Sequence, residues 1–161
     1  MSLRRIQVGT VLSLLTSNNE IDRRFAMALF NWTPEYSVSV ARFDADHKKL
    51  FSLINELNDA MAERRGRFVV VRILQELCDY TRRHFAAEEA ALRKVNFANR
   101  EEHIAEHREL AGMVEKLYAE HTADDTTIPI DVLIFLRDWL NKHVLETDHQ
   151  YIDAMKSAGI H

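Results

Sequence analysis

The sequence predicts an all-α protein: an antiparallel, up-down-up-down four-helix bundle preceded by an extended arm and an extra N-terminal segment. Three observations predict it. Turn-forming residues are scarce, with 4 glycines and 2 prolines in 161 residues, where average usage of the two together is about 12%. Sandwiches, barrels and doubly wound α/β folds need many Gly- and Pro-rich connections. Apolar residues recur at helical spacing in four successive segments. The links between those segments are short, which makes consecutive helices antiparallel neighbours.

Taken in order, residues 1–30 form an N-terminal extension. Arg4 and Arg5 precede an apolar stretch, but Gly9, Thr10 and Ser13 interrupt it and no small-x-small cleavage pattern follows. It therefore reads poorly as a signal peptide. Ile21, Phe25, Ala28 and Leu29 share one face of a short helix, with Asn18 or Asn19 as its cap. Residues 31–161 form the second unit. Around Pro34 the pattern changes, and Tyr36, Val38 and Val40 alternate with Ser37 and Ser39 as in an extended arm. Asp44 or Asp46 is expected to cap the first long helix, which carries Leu50, Leu53, Ile54, Leu57 and Met61 on one face and ends at Gly66. The second runs from about Phe68 to Val95 with Val70, Ile73, Leu74, Leu77, His84 and Leu92 inward. Asn99 caps a third, with Ile104, Leu110, Val114 and Leu117 inward. A polar loop follows over residues 122–128. Pro129 then opens a fourth helix, whose inner face is Val132, Leu133, Leu136, Trp139 and Leu140.

The charge balance narrows the function. Twenty-one basic and 25 acidic residues give a net charge of -4, which offers no basic field for nucleic acid. No run approaches the 18 or so apolar residues of a membrane span. One cysteine, Cys78, cannot close an internal disulfide, so a reducing, cytoplasmic setting is expected. Cys78 itself reads as an inert core or boundary residue.

Histidine is in excess, at 8 of 161 residues, and five of the eight are placed. His47 lies on the stripe of Leu50 and Ile54, and His84 on that of Ile73 and Leu77, with Glu88 one turn further on the same face. His103 and His107 continue the face of Leu110, Val114 and Leu117, and His143 continues that of Leu136 and Trp139. Five imidazoles and a carboxylate thus converge from all four helices. Buried without partners they would be costly, and a metal site inside the bundle satisfies them together. The set is too large for one tetrahedral zinc ion. Mixed nitrogen and oxygen ligands suit six-coordinate metals, and two ions sharing carboxylates account for the number. A ferritin-like site needs two Glu-x-x-His repeats, and only Glu146 to His149 matches. Asp148, five residues after His143, lies about 140° away on a straight helix, so spacing leaves its membership open.

These fragments together resemble the hemerythrins, and bacteriohemerythrins in particular, from about Phe30 to Tyr151. The arm with Trp32, Tyr36 and Val38 leads to Phe43-Asp44 and His47. The HFxxEE motif follows at His84-Phe85…Glu88-Glu89, then HxxxH at His103 and His107, then WxxxHxxxxD at Trp139, His143 and Asp148, with Tyr151 beyond. The resemblance brings Asp148 into the site. It implies two non-heme iron ions with an oxo or hydroxo bridge. His103, His107 and His143 would hold the first ion and His47 and His84 the second, with Glu88 and Asp148 bridging. The first iron would be six-coordinate and the second five-coordinate, leaving one position for dioxygen. Leu50, Phe85, Trp139 and Tyr151 would form a dry wall around it. The implied function is reversible dioxygen binding, for carriage, storage or sensing, and not catalysis. The alternatives are a di-iron enzyme acting on nitric oxide or peroxide, and a bundle that merely holds metal. Glu146 is expected to face solvent, Phe97 to take an aromatic role missing before His103, and His121, His149 and His161 to be incidental, the first and last of them solvated.

Overall fold

The computed structural model describes residues 30–123 and 128–161. The predicted helix within the first 29 residues lies outside them, as does most of the predicted polar loop. Four long helices form the bundle: α1 (Ala41–Ala62), α2 (Arg67–Lys94), α3 (Arg100–Ala123) and α4 (Ile130–Lys142). The chain after α4 continues as a π turn over His143–Thr147, a 3-10 turn over Asp148–Tyr151, and a short helix α5 (Ile152–Ser157). Among the described residues there is no strand, and no helix is long and apolar enough to cross a membrane.

The helices form where the apolar spacing placed them, and their ends differ in detail. α1 starts at Ala41, ahead of both expected caps, and no side chain caps it. Asp44 instead accepts hydrogen bonds from the Val38 N–H (2.8 Å) and the Ser37 hydroxyl (2.6 Å). It is spent on tying the arm to the first turn of α1, because the arm's own polar groups lack a strand partner. Within the arm, Pro34–Tyr36 is one 3-10 turn, while Val38 and Val40 are buried. The α1–α2 link turns at Gly66 with φ +84, a conformation that costs glycine little. Asn99 precedes α3 and its carbonyl accepts the His103 N–H at 3.1 Å. Pro129 stands one residue before α4.

The core divides in two. Leu50, Leu53, Ile54, Leu57, Ile73, Leu74, Leu77, Leu110, Val114, Leu133, Leu136 and Leu140 fill one part of the bundle. A smaller cluster of Val38, Val40, Phe43, Leu92, Tyr151 and Met155 closes the other, where the arm and α5 meet α2. Each fully buried aliphatic side chain contributes about 1.5–3 kcal/mol. Between the clusters lies a layer of buried polar groups.

His121 departs from expectation. It sits in the last turn of α3, which runs further than the polar composition suggested, and it is buried. Its Nδ1 lies 3.0 Å from the Leu117 carbonyl, which satisfies one ring nitrogen inside the helix. Glu146 and His161 are exposed, and His149 is half-buried. Cys78 is buried, and desolvation pushes its thiol up to about 11, so it is unreactive at neutral pH.

Candidate metal centre

The polar layer consists of His47 from α1, His84 and Glu88 from α2, His103 and His107 from α3, His143 at the end of α4, and Asp148. All are at most 2% exposed. The i, i+4 pairs His84/Glu88 and His103/His107 project from one side of their helices by ordinary helical geometry. Asp148 arrives by a different route. Its backbone N–H bonds to the carbonyl of His143, five residues back. This π turn takes one more residue per turn than the α-helix and cancels the angular offset that a straight helix would impose.

The seven side chains fall into two sets that could each hold an ion: Glu88, His103, His107, His143 and Asp148 in one, and His47, His84 and Glu88 in the other. Asp148 also spans the two. Its Oδ1 lies 3.1 Å from His143 Nε2 and 3.3 Å from His103 Nε2, while its Oδ2 lies 3.2 Å from His47 Nε2. Glu88 Oε2 lies 3.2, 3.5 and 3.8 Å from Nε2 of His107, His103 and His84. Yet Glu88 Oε2, both Asp148 oxygens, and Nε2 of His47 and His103 have no partner at hydrogen-bond geometry. Only His107 and His143 meet directly, Nε2 to Nε2 at 3.1 Å; the other donor atoms face a shared space. Buried groups are normally satisfied, and a cation set among these atoms would satisfy them all. The donor set, imidazole nitrogen and carboxylate oxygen without thiolate, suits borderline metals such as iron.

Electrostatics agree with this arrangement. Burial opposes ionisation of both carboxylates, yet the imidazoles around them hold Glu88 and Asp148 well below the usual range. Burial likewise opposes charge on His143, but Asp148 and Glu106 push it up to about 10. Desolvation prevails at His107 and lowers it. The hydroxyl of Tyr151 donates to Glu88 Oε1. Burial and the two carboxylates keep that phenol protonated far above its ordinary range.

Outside the donors stands a ring of carboxylates to which the sequence assigns no role at the site: Asp46 reads there as a possible helix cap, Glu89 only as part of a motif, and Glu106 as nothing in particular. Asp46 Oδ2 is 3.4 Å from His84 Nδ1, Glu89 Oε1 is 3.3 Å from His107 Nδ1, and Glu106 Oε2 is 2.8 Å from His143 Nδ1. Such partners orient an imidazole and raise its basicity toward a metal. Each is next in sequence to a donor on its own helix, but serves the following helix. Adjacency to a donor was the available signal, although it does not say which imidazole is served.

The wall residues take distinct places. Phe85 stacks on His107 with centroids 3.7 Å apart, and Trp139 stacks on His143 at 4.6 Å. Leu50 is buried in the larger cluster. Tyr151 is buried too, but its hydroxyl is directed at Glu88, so it is a polar contact of the centre and not only a wall. Phe97 is half-buried against the smaller cluster.

The fold and this layer define a metal-binding four-helix bundle. A model of the hemerythrin HHE cation-binding domain matches residues 38–155. The chain belongs to the hemerythrin family. It is 34% identical over 126 residues to a bacteriohemerythrin of Methylococcus capsulatus, covering 78% of this chain and 95% of that protein. A hemerythrin-like protein of Naegleria gruberi is 33% identical over 122 residues, covering 76% of this chain and 90% of that one. A wild-type hemerythrin crystal structure superposes with a TM-score of 0.74 at 32% identity, covering 80% of this chain and 98% of that one.

Proposed function

We propose that this chain binds dioxygen reversibly at a di-iron centre held by His47, His84, Glu88, His103, His107, His143 and Asp148. The observation that carries the reading is the unequal division of the donors, five side chains on one side and three on the other, with Glu88 common to both. The side with fewer protein donors, at His47 and His84, is where a small ligand has room. Two ferrous ions held by these residues would supply the two electrons that a dioxygen molecule takes up and returns.

The protein's own part is to hold and to exclude. Asp46, Glu89 and Glu106 orient three imidazoles from behind. Tyr151, kept protonated, fixes one oxygen of Glu88 and is a poor proton donor, which favours binding over turnover. Phe85, Trp139 and Leu50 keep water from the site, because water and protons would promote release of the oxygen as hydrogen peroxide, which keeps the two electrons and would leave ferric iron. Residues 31–161 are assigned as the oxygen-binding unit, with residues 1–30 as an extension. The single, buried Cys78 fits a reducing, cytoplasmic setting.

The test is iron analysis joined to an anaerobic-to-aerobic optical titration. Two irons per chain are expected, with charge-transfer bands that appear on oxygenation and fade on deoxygenation. Iron well below two per chain, or oxygen consumption in excess reductant faster than the oxygenated form converts to the ferric form, would sink the reading.

A further inference from the structure

The three carboxylates behind the imidazoles end differently. Glu89 is closed by Arg93 at 3.0 Å, and Glu106 by the Thr147 hydroxyl at 2.9 Å. Asp46 instead accepts a hydrogen bond from the Tyr80 hydroxyl at 2.9 Å. Tyr80 borders an open surface cavity of about 140 Å³, lined also by Arg42, Asp46, Arg83 and His84. A connected chain of three side chains, Tyr80–Asp46–His84, therefore runs from this cavity to the donor side proposed to bind the ligand.

The cavity is cationic in an acidic protein. Arg42 and Arg83 are both exposed, and neither has a carboxylate within ion-pair distance among the described residues, although most exposed arginines of α2 do. The Arg83 guanidinium lies over the Tyr80 ring at 5.2 Å. The one carboxylate in the cavity, Asp46, has its two oxygens engaged by Tyr80 and His84. Two guanidinium groups without a carboxylate partner outnumber this one carboxylate, whose oxygens are already engaged, so they attract an anion and can hold a carboxylate in a forked pair.

We propose that the Arg42–Arg83 cavity is the docking point of an acidic one-electron carrier that re-reduces the centre through the His84 side. This rests on the di-iron reading above. A carrier that loses its oxygen as hydrogen peroxide gives up two electrons, would be left with two ferric ions, and needs two electrons to work again. At each encounter the donor is oxidised by one electron and one ferric ion becomes ferrous. Two encounters restore the pair, and no bond forms between donor and protein. Charge complementarity selects the donor: a carboxylate-rich surface meets the guanidinium pair while the overall net charge of -4 turns it away from the remaining surface.

Docking is tested without redox chemistry, using hexacyanoferrate(II) as an anionic probe on the zinc-loaded protein. Amide NMR shifts are expected to cluster around Arg42, Tyr80 and Arg83. The Arg42→Ala/Arg83→Ala double variant should weaken binding about ten-fold. The Arg108→Ala/Lys116→Ala variant, with the same change in net charge, should leave it within two-fold or so. Reduction of the ferric protein is then followed with anionic dithionite and with cationic reduced methyl viologen. The double variant should slow the first several-fold and spare the second. Equal effects of the two double variants, or equal slowing of both reductants, would overturn the proposal. An iron-free preparation would instead defeat the di-iron reading, and leaves the zinc-protein binding result to be judged alone.

Discussion

Asp148 meets His143 through a π turn: its backbone N–H bonds to the His143 carbonyl, and its Oδ1 lies 3.1 Å from the Nε2 of the same residue. Straightening that turn would carry the carboxylate away from the centre. Deleting Glu146, which is exposed, removes the extra residue and leaves the aspartate four residues from His143 on a plain α-helix, so helix content by circular dichroism and iron near two per chain should both be retained. In Asp148→Asn iron should fall below two per chain. Full iron in Asp148→Asn would show that the carboxylate is dispensable.

Glu106 holds His143 from behind and is itself held by Thr147. Glu106→Gln keeps the size but not the charge. It should weaken metal affinity about 10–100-fold, and Thr147→Val should do so less. Competition against a chelator of known strength measures both. An unchanged affinity in Glu106→Gln would reduce that contact to ordinary surface pairing.

The metal-free protein should depend on pH in opposite senses at its two extremes. His143 is raised from 6.5 to about 10, so its contribution to stability is complete below pH 6.5 and is lost as pH rises through about 10. Glu88 and Asp148 are lowered, so theirs is present above the ordinary carboxyl range and is lost as pH falls below it. Denaturant titrations across pH should show both flanks. Metal must displace the proton on His143, so loading near neutral pH should release protons. Calorimetry in two buffers of different ionisation enthalpy counts them, and a count of zero would contradict the raised imidazole.

Phe85 stacks on His107 and also belongs to the larger apolar cluster. Phe85→Ala should cost about 3–5 kcal/mol of stability and speed conversion of the oxygenated form to the ferric form. Phe85→Leu should retain most of the stability. If both variants autoxidise at the parent rate, the ring's role is packing alone.

The four long helices were legible because their apolar stripes are long and unbroken, and the five imidazoles were legible because they lie on those stripes. Asp148 was not legible from spacing: a π turn has no strong composition of its own, and only the family motif brought the residue in. The part that Asp46, Glu89 and Glu106 play behind the imidazoles was not legible because those imidazoles lie on other helices, and helical periodicity is blind to contacts between helices. Asp44 was misread as a cap because a carboxylate near a helix start fits that role in sequence, whether it serves the helix or, as here, the arm. His121 looked solvated because its flanks are polar, although α3 winds far enough to bury it.

The outer carboxylates pass from α1 to α2, from α2 to α3 and from α3 to α4, each standing beside a donor of its own helix. A slip of one residue in α1, α2 or α3 would therefore disturb imidazoles on two helices at once, its own and the next one's. The centre thus acts as a register gauge for the whole bundle. A chain whose helices are mutually misaligned would lose metal as a unit, and a chain that holds both ions has its four helices in phase.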